Sequence, residues 1–503
     1  MKKFYITTPL YYVNDQPHIG HAYTTILADV ISRFKKLQGN QVFFLTGTDE
    51  HGQKVQDAAQ KRKVSPQIHV NEYVNHFIDI WKVMEIDYDC FIRTTDKSHK
   101  KVVRNILNAL WDKDEIYLDE YEGLYSVSEE RFITQKEADE GEFRQIKTIK
   151  EKNYFFKMSN YQDKLIEHIQ NNPNFILPNN RANEILGFLK KPLNDLCISR
   201  PKSRLEWGIE IPFDKNYVTY VWFDALINYI SGIDYGYDEK KFSNHWPANY
   251  HLIGKDILTT HCVYWATMLM AIGIELPKTI FAHGWWLMEE TKMSKSLGNV
   301  IQPLDIAKNY GVDSLRYFLM RDMVLGLDSN FSMDRFVTRY NSDLANDYGN
   351  LINRVTMLIN KYFDGKIPTY NSFDKTDLEL ISIAKSTSIS TYENFETMKI
   401  HEAIENIFSM IRKINQFLEI REPWKLLKSN DTDVNIAATT LYISIEILRI
   451  GTQLLHAIMP RKCKEILYIL GASNISLENF DFGQLKPGDE IHISKAPFPR
   501  INL

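Results

Sequence analysis

The opening of the chain alternates strand, helix and strand, and this order constrains the fold more than any other feature. Phe4-Tyr5-Ile6-Thr7 reads as a short buried strand. Ile26, Leu27, Val30, Phe34 and Leu37 then fall at helical spacing between Ile19 and Leu37, with Gly39 as a C-terminal stop. Gln41-Val42-Phe43-Phe44-Leu45-Thr46 is the next strand, and Gly47-Thr48-Asp49-Glu50-His51-Gly52 reads as a polar loop at its exit. A strand, helix and strand joined by a short return form a parallel βαβ unit with a right-handed crossover. Ligands in such sheets bind past the carboxyl ends of the strands. That rule gathers Tyr12, His18, His21 and Asp49 around one crevice.

Parallel-sheet patterning resumes at Tyr250-His251-Leu252-Ile253-Gly254 and Lys278-Thr279-Ile280-Phe281-Ala282. Between the two halves, from about Ile116 to Phe213, the sequence is charged and irregular, which predicts an insertion. From about Asn341 the pattern is helical, as in Leu351, Ile352, Val355, Leu358 and Ile359, with no clear strand until the last few residues. A separate helical bundle is expected there. At 503 residues the chain has room for roughly two to four domains.

A net charge of −4 excludes a uniformly basic surface, so any nucleic acid must be held by local patches. Met1 to Pro9 does not read as a signal peptide, and the apolar stretch Val263 to Ile274 is too short to span a bilayer. Cys90, Cys197, Cys262 and Cys463 are scattered, without paired spacing for a disulfide framework or a zinc knuckle. A cytoplasmic protein without membrane partners is the default expectation.

Two short motifs carry chemistry. In His18-Ile19-Gly20-His21 the imidazoles are spaced i, i+3 at a helix start, where both can face one phosphate and the helix end adds positive potential. Gly20 removes a side chain where a flat base could lie against the backbone. Lys292-Met293-Ser294-Lys295-Ser296 follows a strand and a loop at Glu289-Glu290-Thr291 that could move. Its two lysines can place compact cations on a pyrophosphate as charge develops there. Each motif alone also reads as an ordinary polar turn; their joint occurrence around one split sheet disfavours that.

With both motifs in order, the chain resembles a class I aminoacyl-tRNA synthetase. Further segments resemble the methionyl-tRNA synthetase family: Pro9-Leu10-Tyr11-Tyr12, Thr46 to Gly52, Tyr220-Val221-Trp222-Phe223-Asp224-Ala225-Leu226, Ile253-Gly254-Lys255-Asp256-Ile257 and Tyr264-Trp265. The resemblance covers effectively the whole chain. It implies an α/β fold: a Rossmann-like, doubly wound parallel-sheet catalytic domain (1–115 and 214–284), split by an inserted connective domain (116–213). A region holding the lysine motif (285–340) and an α-helical bundle that binds the anticodon (341–503) follow.

The resemblance implies catalytic roles for His18, His21, Lys292 and Lys295. It places Gly20, Gly254, Asp256 and Lys295 with both histidines at ATP, flanked by Lys255 and His283. Leu10, Tyr12, Trp222, Ala225, Leu226, Tyr229, Ile257, His261 and Trp265 would surround methionine, with Asp49 on its ammonium. Sulfur is well held against aromatic edges, although spacing alone would make Trp222, Tyr229 and Trp265 core aromatics. Asn346, Asn350 and Arg354 recur every fourth residue, and Glu422-Pro423-Trp424 sets a tryptophan after a rigid proline. By pattern these are a polar helix face and a core tryptophan; by resemblance they contact the anticodon.

The implied substrates are methionine, ATP with Mg²⁺ and methionine tRNA. Many family members carry a zinc knuckle in the insertion. Here Tyr125-Ser126-Val127-Ser128-Glu129-Glu130 and Gly141-Glu142-Phe143-Arg144-Gln145 hold neither cysteine nor histidine, so no structural zinc is expected. A monomer is expected, since the chain ends at Leu503 without a further C-terminal tRNA-binding domain. Leucyl, isoleucyl and valyl relatives would need a large editing domain, and a cysteinyl one a thiolate-bound zinc. A small-molecule nucleotidyltransferase would need no helical C-terminal third. A catalytically dead tRNA-binding relative would not need His18, His21, Lys292 and Lys295 intact.

Overall fold

The computed structural model describes residues 2–13, 17–126, 131–133, 138–139, 146–288, 291–292 and 302–502. The chain forms two compact units: Met1–Pro17, Gln41–Lys82 and Ile86–His283 in the first, and His18–Asn40, Val83–Glu85 and Gly284–Leu503 in the second.

The first unit is built on a parallel seven-stranded sheet. Lys3–Thr7 lies between Gln41–Asp49 and Tyr250–Gly254, and Ile280–His283 and then Ile176–Leu177 continue outward from the latter. Cys90–Arg93 and Tyr11–Tyr12 pair with the C-terminal half of Gln41–Asp49. Phe4, Tyr5, Ile6, Leu252, Ile253, Ile280, Phe281 and Ala282 are all buried. Such uninterrupted apolar strands mark a sheet covered on both faces. The chain is thus α/β, as its pattern predicts.

The exit of Gln41–Asp49 departs from the expectation of a polar loop. The strand continues through Gly47, Thr48 and Asp49, because Leu45 to Thr48 pair with Cys90 to Arg93. A Cβ on Gly47 would lie 1.9 Å from the Ile92 carbonyl oxygen, so only glycine admits that neighbour. The loop shrinks to Glu50–Gly52 before the helix Gln53–Lys61 begins. Elsewhere in this unit Ile116–Ser126 pairs antiparallel with Ile146–Phe156, flanked by Arg131–Ile133 and Leu196–Cys197.

The second unit is mainly helical, with Ile19–Leu37, Asn350–Phe363, Lys375–Glu396, Ile400–Arg421 and Asp431–Leu455 as its longest helices. Asp431–Leu455 is long and apolar enough to cross a membrane, but 83% of its apolar window is buried inside the protein. It is a core helix, apolar on every side because neighbours surround it. No strand follows Ser329–Asn330 among the described residues. Among the described residues the C-terminal stretch bridges Glu490 to Lys366, and the Asn341 side chain donates to the Ile501 carbonyl and accepts from its N–H.

Among the described residues, two ion pairs of this unit are fully buried. Arg316 Nη2 donates to Asp29 Oδ2 at 2.6 Å, with both side chains fully buried, and its other donors meet the carbonyls of Ile458, Met84 and Ala457. Arg449 donates to Glu446 at 3.0 and 2.8 Å, to Gln453 at 2.6 Å and to the carbonyls of Asn479 and Asp481. All of its N–H groups therefore have acceptors. Replacing Arg449 with Met leaves Glu446 buried without its countercharge, and urea unfolding should show a loss of about 3–5 kcal/mol. Adding Glu446→Gln should recover part of that loss.

Candidate active site and RNA-reading surface

His18 is the N-cap of Ile19–Leu37, with extended backbone at φ −125° and ψ 177°. Its Nδ1 accepts from the Gly20 N–H at 3.1 Å, and His21 Nδ1 accepts from the His18 N–H at 3.3 Å. The two histidines form a capping box, the role usually filled by Ser and Glu. Their rings stack with centroids 3.8 Å apart. Because both Nδ1 atoms accept, each neutral ring carries its proton on Nε2. A Cβ on Gly20 would lie 3.0 Å from His18 Cε1, so glycine here admits the folded-back His18 ring.

In the first unit, Tyr229, His261 and Trp265 are buried together. The Tyr229 hydroxyl contacts His261 Nε2 at 2.7 Å, and His261 Nδ1 lies 2.9 Å from the Ile257 carbonyl. Only one tautomer satisfies both contacts: Nδ1–H donates to Ile257, and Nε2 accepts from Tyr229. Trp265 Nε1 donates to His251 Nε2 at 3.3 Å, so His251 donates through Nδ1 to Thr7 Oγ1 at 2.7 Å. Tyr229 stacks on His251 at 4.2 Å, and Trp222 meets the His261 ring edge-on at 6.3 Å. Burial pulls His261 down to about 4, and burial also holds His251 well below its ordinary value. Both rings are neutral near pH 7.

A π-helical turn at Thr260–Trp265 presents His261 and Trp265, a backbone irregularity common at functional sites. Ala225 and Leu226 are buried, and Leu10, Tyr12, Trp222 and Ile257 are partly buried against the same core. Asp49 ends its strand in register with Tyr12, and Val13 N–H donates to the Asp49 carbonyl at 3.2 Å. Gly254 ends its strand beside His283, and a Cβ there would lie 2.6 Å from Asp256 Oδ1.

Sequence reasoning overlooked a buried polar cluster next to these residues. Asp224 Oδ2 accepts from His51 Nδ1 at 2.6 Å, and Oδ1 from His99 Nε2 at 2.8 Å. Ser231 Oγ lies 2.7 Å from His99 Nδ1. Burial pushes the Asp224 carboxyl up, and His51 and His99 bring it back below its ordinary value. Glu50 accepts a forked pair from Arg93 at 2.7 and 2.9 Å and a bond from Thr48 at 2.7 Å. His51 and Asp224 stand inside segments that carry the family resemblance, which was a usable signal. His99 and Arg93 had none.

In the second unit, Thr291–Lys292 pairs with Trp286–Met288, which also pairs with Ser329–Asn330. The Lys292 side chain, the loop residues Glu289 and Glu290, and Met293, Ser294, Lys295 and Ser296 lie outside the described residues. So do Val127–Glu130 and Gly141–Gln145 of the stretch where a zinc knuckle would stand. Among the described residues, no group of three or more His, Cys, Asp or Glu could hold a metal ion.

Farther along the second unit, Arg354 and Trp424, distant in sequence, come together with the guanidinium 5.6 Å from the ring centroid. Arg354 also donates to Asn415 at 3.0 Å and pairs with Glu419. Trp424 is only partly buried, on a short helix begun by Pro423, so it is not a core residue. Asn346 and Asn350 are exposed.

The depressed His261 has a measurable consequence. Its folded value of about 4 lies below the unfolded 6.5, so only the unfolded state gains the proton as pH falls through that window. Stability should drop between pH 6.5 and 4 by about 3 kcal/mol from this residue. Urea unfolding across that range should show the loss, and His261→Gln, which cannot take a proton, should remove this residue's share of it and leave that of the other buried histidines, His251 among them.

Comparisons with known proteins identify the family. The family model described as tRNA synthetases class I (M) matches residues 4–142 and 140–356. A methionine–tRNA ligase from Caldanaerobacter subterraneus subsp. tengcongensis is 42% identical over 509 residues, covering 100% of this chain and 79% of that protein. One from Clostridium tetani is 43% identical over 512 residues, with the same coverage. The structure of Mycobacterium tuberculosis methionyl-tRNA synthetase in complex with methionyl-adenylate superposes with a TM-score of 0.95 at 38% identity, covering 99% of this chain and 100% of that one. The free form of that enzyme gives a TM-score of 0.88 at 36% identity, covering 100% and 99%. Family model, full-length relatives and fold therefore coincide, and the chain belongs to the methionyl family of class I tRNA synthetases.

Proposed function

We infer that this chain is a methionine–tRNA ligase working in two steps. A methionine carboxylate oxygen attacks the α-phosphorus of ATP, forming methionyl-adenylate and expelling pyrophosphate. A terminal ribose hydroxyl of methionine tRNA then attacks the activated carbonyl, expelling AMP. Neither step needs a covalent enzyme nucleophile; positioning and charge stabilisation suffice. The observation that carries the choice of amino acid is the neutral aromatic cluster of Tyr229, His261 and Trp265. A cluster without charge suits an uncharged, polarizable thioether.

Within this reading Asp49 holds the substrate ammonium, joined by the Leu10 backbone. Tyr12, Trp222, Ala225, Leu226, Tyr229, Ile257, His261 and Trp265 enclose the side chain. The Nε2–H groups of His18 and His21 donate to phosphate, assisted by the helix end, and Lys292 and Lys295 neutralise the departing pyrophosphate. Gly20, Gly254 and Asp256 lie along the nucleotide, and Mg²⁺ arrives with ATP as part of the substrate. Asn346, Asn350, Arg354 and Trp424 read the anticodon; the Arg354–Trp424 contact supports this, because single-stranded bases stack on such surfaces. The domain plan of 1–115, 116–213, 214–284, 285–340 and 341–503 belongs to the same proposal, as do a monomeric state, a cytoplasmic location, no membrane association and no structural zinc.

ATP–pyrophosphate exchange with each of the twenty amino acids tests the reading; exchange should be strongest with methionine. Lys295→Ala should lower the activation rate by about two orders of magnitude or more with methionine affinity nearly unchanged. Parallel losses in binding and turnover would contradict that role. Trp424→Ala should reduce aminoacylation roughly ten- to a hundredfold while exchange, which needs no tRNA, stays near normal. A matching fall in exchange would make Trp424 a structural residue.

A further inference from the structure

The substrate's ammonium and its side chain leave the same carbon, so the parts of the site that hold them must keep a fixed separation. Asp49 stands at the end of Gln41–Asp49. Trp222, Ala225 and Leu226 stand on the short helix Val221–Leu226. These two elements are distant in sequence, yet a hydrogen bond ties the strand's exit to the helix: His51, two residues past Asp49, donates to Asp224, which sits between Trp222 and Ala225. We propose that Asp224 is a positioning residue for the amino-acid site, its carboxylate clamped between His51 and His99 so that the spacing between Asp49 and the side-chain pocket is set.

The clamp is sealed from solvent. Asp224 is 0% exposed, His99 0% and His51 2%, so water offers no alternative partner. Each carboxylate oxygen takes one imidazole N–H, from His51 on the strand exit and His99 on the helix Lys97–Asp112. With His99 Nε2–H committed to Asp224, Ser231 Oγ on the helix Asn228–Ser231 lies 2.7 Å from His99 Nδ1 and holds the ring from its other side. Glu50, between Asp49 and His51, is held by the forked Arg93 pair, and the Trp207 indole N–H donates to its carbonyl. The strand exit is thereby immobilised on both sides of Asp49's neighbour. All of these residues belong to the first unit.

The inference rests on the reading that Asp49 and the aromatic pocket bind methionine, and its test separates the two. Asp224→Asn keeps the shape but turns one oxygen into an NH₂ that opposes an imidazole N–H. In methionine-dependent exchange this variant should raise KM for methionine about tenfold, with KM for ATP and kcat within about twofold. His51→Leu removes the donor and should behave alike. His51→Asn places an amide N–H where Nδ1–H stood and should return KM to within about twofold of wild type. Thermal unfolding identifies any variant that fails to fold; should Asp224→Asn fail, the His51 pair decides. Equal KM values for the two His51 variants, or a fall in kcat at unchanged KM, overturn the inference. A wild-type enzyme without methionine-dependent exchange overturns the functional reading as well.

Discussion

Three ionisable residues follow one another at the exit of the central strand Gln41–Asp49, and all three are buried: Asp49, Glu50 and His51. Burying a charged or polar group is tolerable only where hydrogen bonds replace water. That requirement organises much of the first unit. Glu50 draws in Arg93 and Thr48 from the neighbouring strand and its own, and His51 reaches Asp224 on a distant helix. The adjacent strand can approach closely enough to supply Arg93 only because position 47 is glycine. These polar residues flank the proposed amino-acid site, whose histidine His261 is buried and uncharged.

The same economy of polar contacts shapes the other groups assigned to chemistry. At the start of Ile19–Leu37 each histidine spends Nδ1 on a backbone N–H, which leaves Nε2 as the donor and fixes which end of each ring carries a proton. In the pocket, His261 and His251 are each held in one tautomer by a partner on either side. Burial keeps these two neutral. Histidines of one chain are thereby divided between donors suited to phosphate and uncharged walls suited to a thioether, with environment rather than residue type making the distinction.

In the second unit the fully buried pairs Arg316–Asp29 and Arg449–Glu446 satisfy their charges internally. Arg354 and Trp424 remain partly exposed. Arginines buried against carboxylates and carbonyls are structural, whereas a guanidinium over a half-exposed indole offers a surface on which a base can stack.

Sequence alone determined the parallel α/β core, the helical C-terminal part and the family. Apolar runs such as Phe4 to Thr7 and Tyr250 to Gly254 record burial on both faces of a sheet, and spacing such as His18 to His21 records a helical turn; both are local signals. The tertiary structure decided what depends on distant partners. It carried the Gln41 strand through Gly47 to Asp49, because its pairing with Cys90–Arg93 cannot be seen in either segment alone. It moved Trp424 from a core reading to a place beside Arg354. It also exposed the His51–Asp224–His99 clamp, whose members are ordinary residues until folding removes water and sets both imidazole N–H groups on one buried carboxylate.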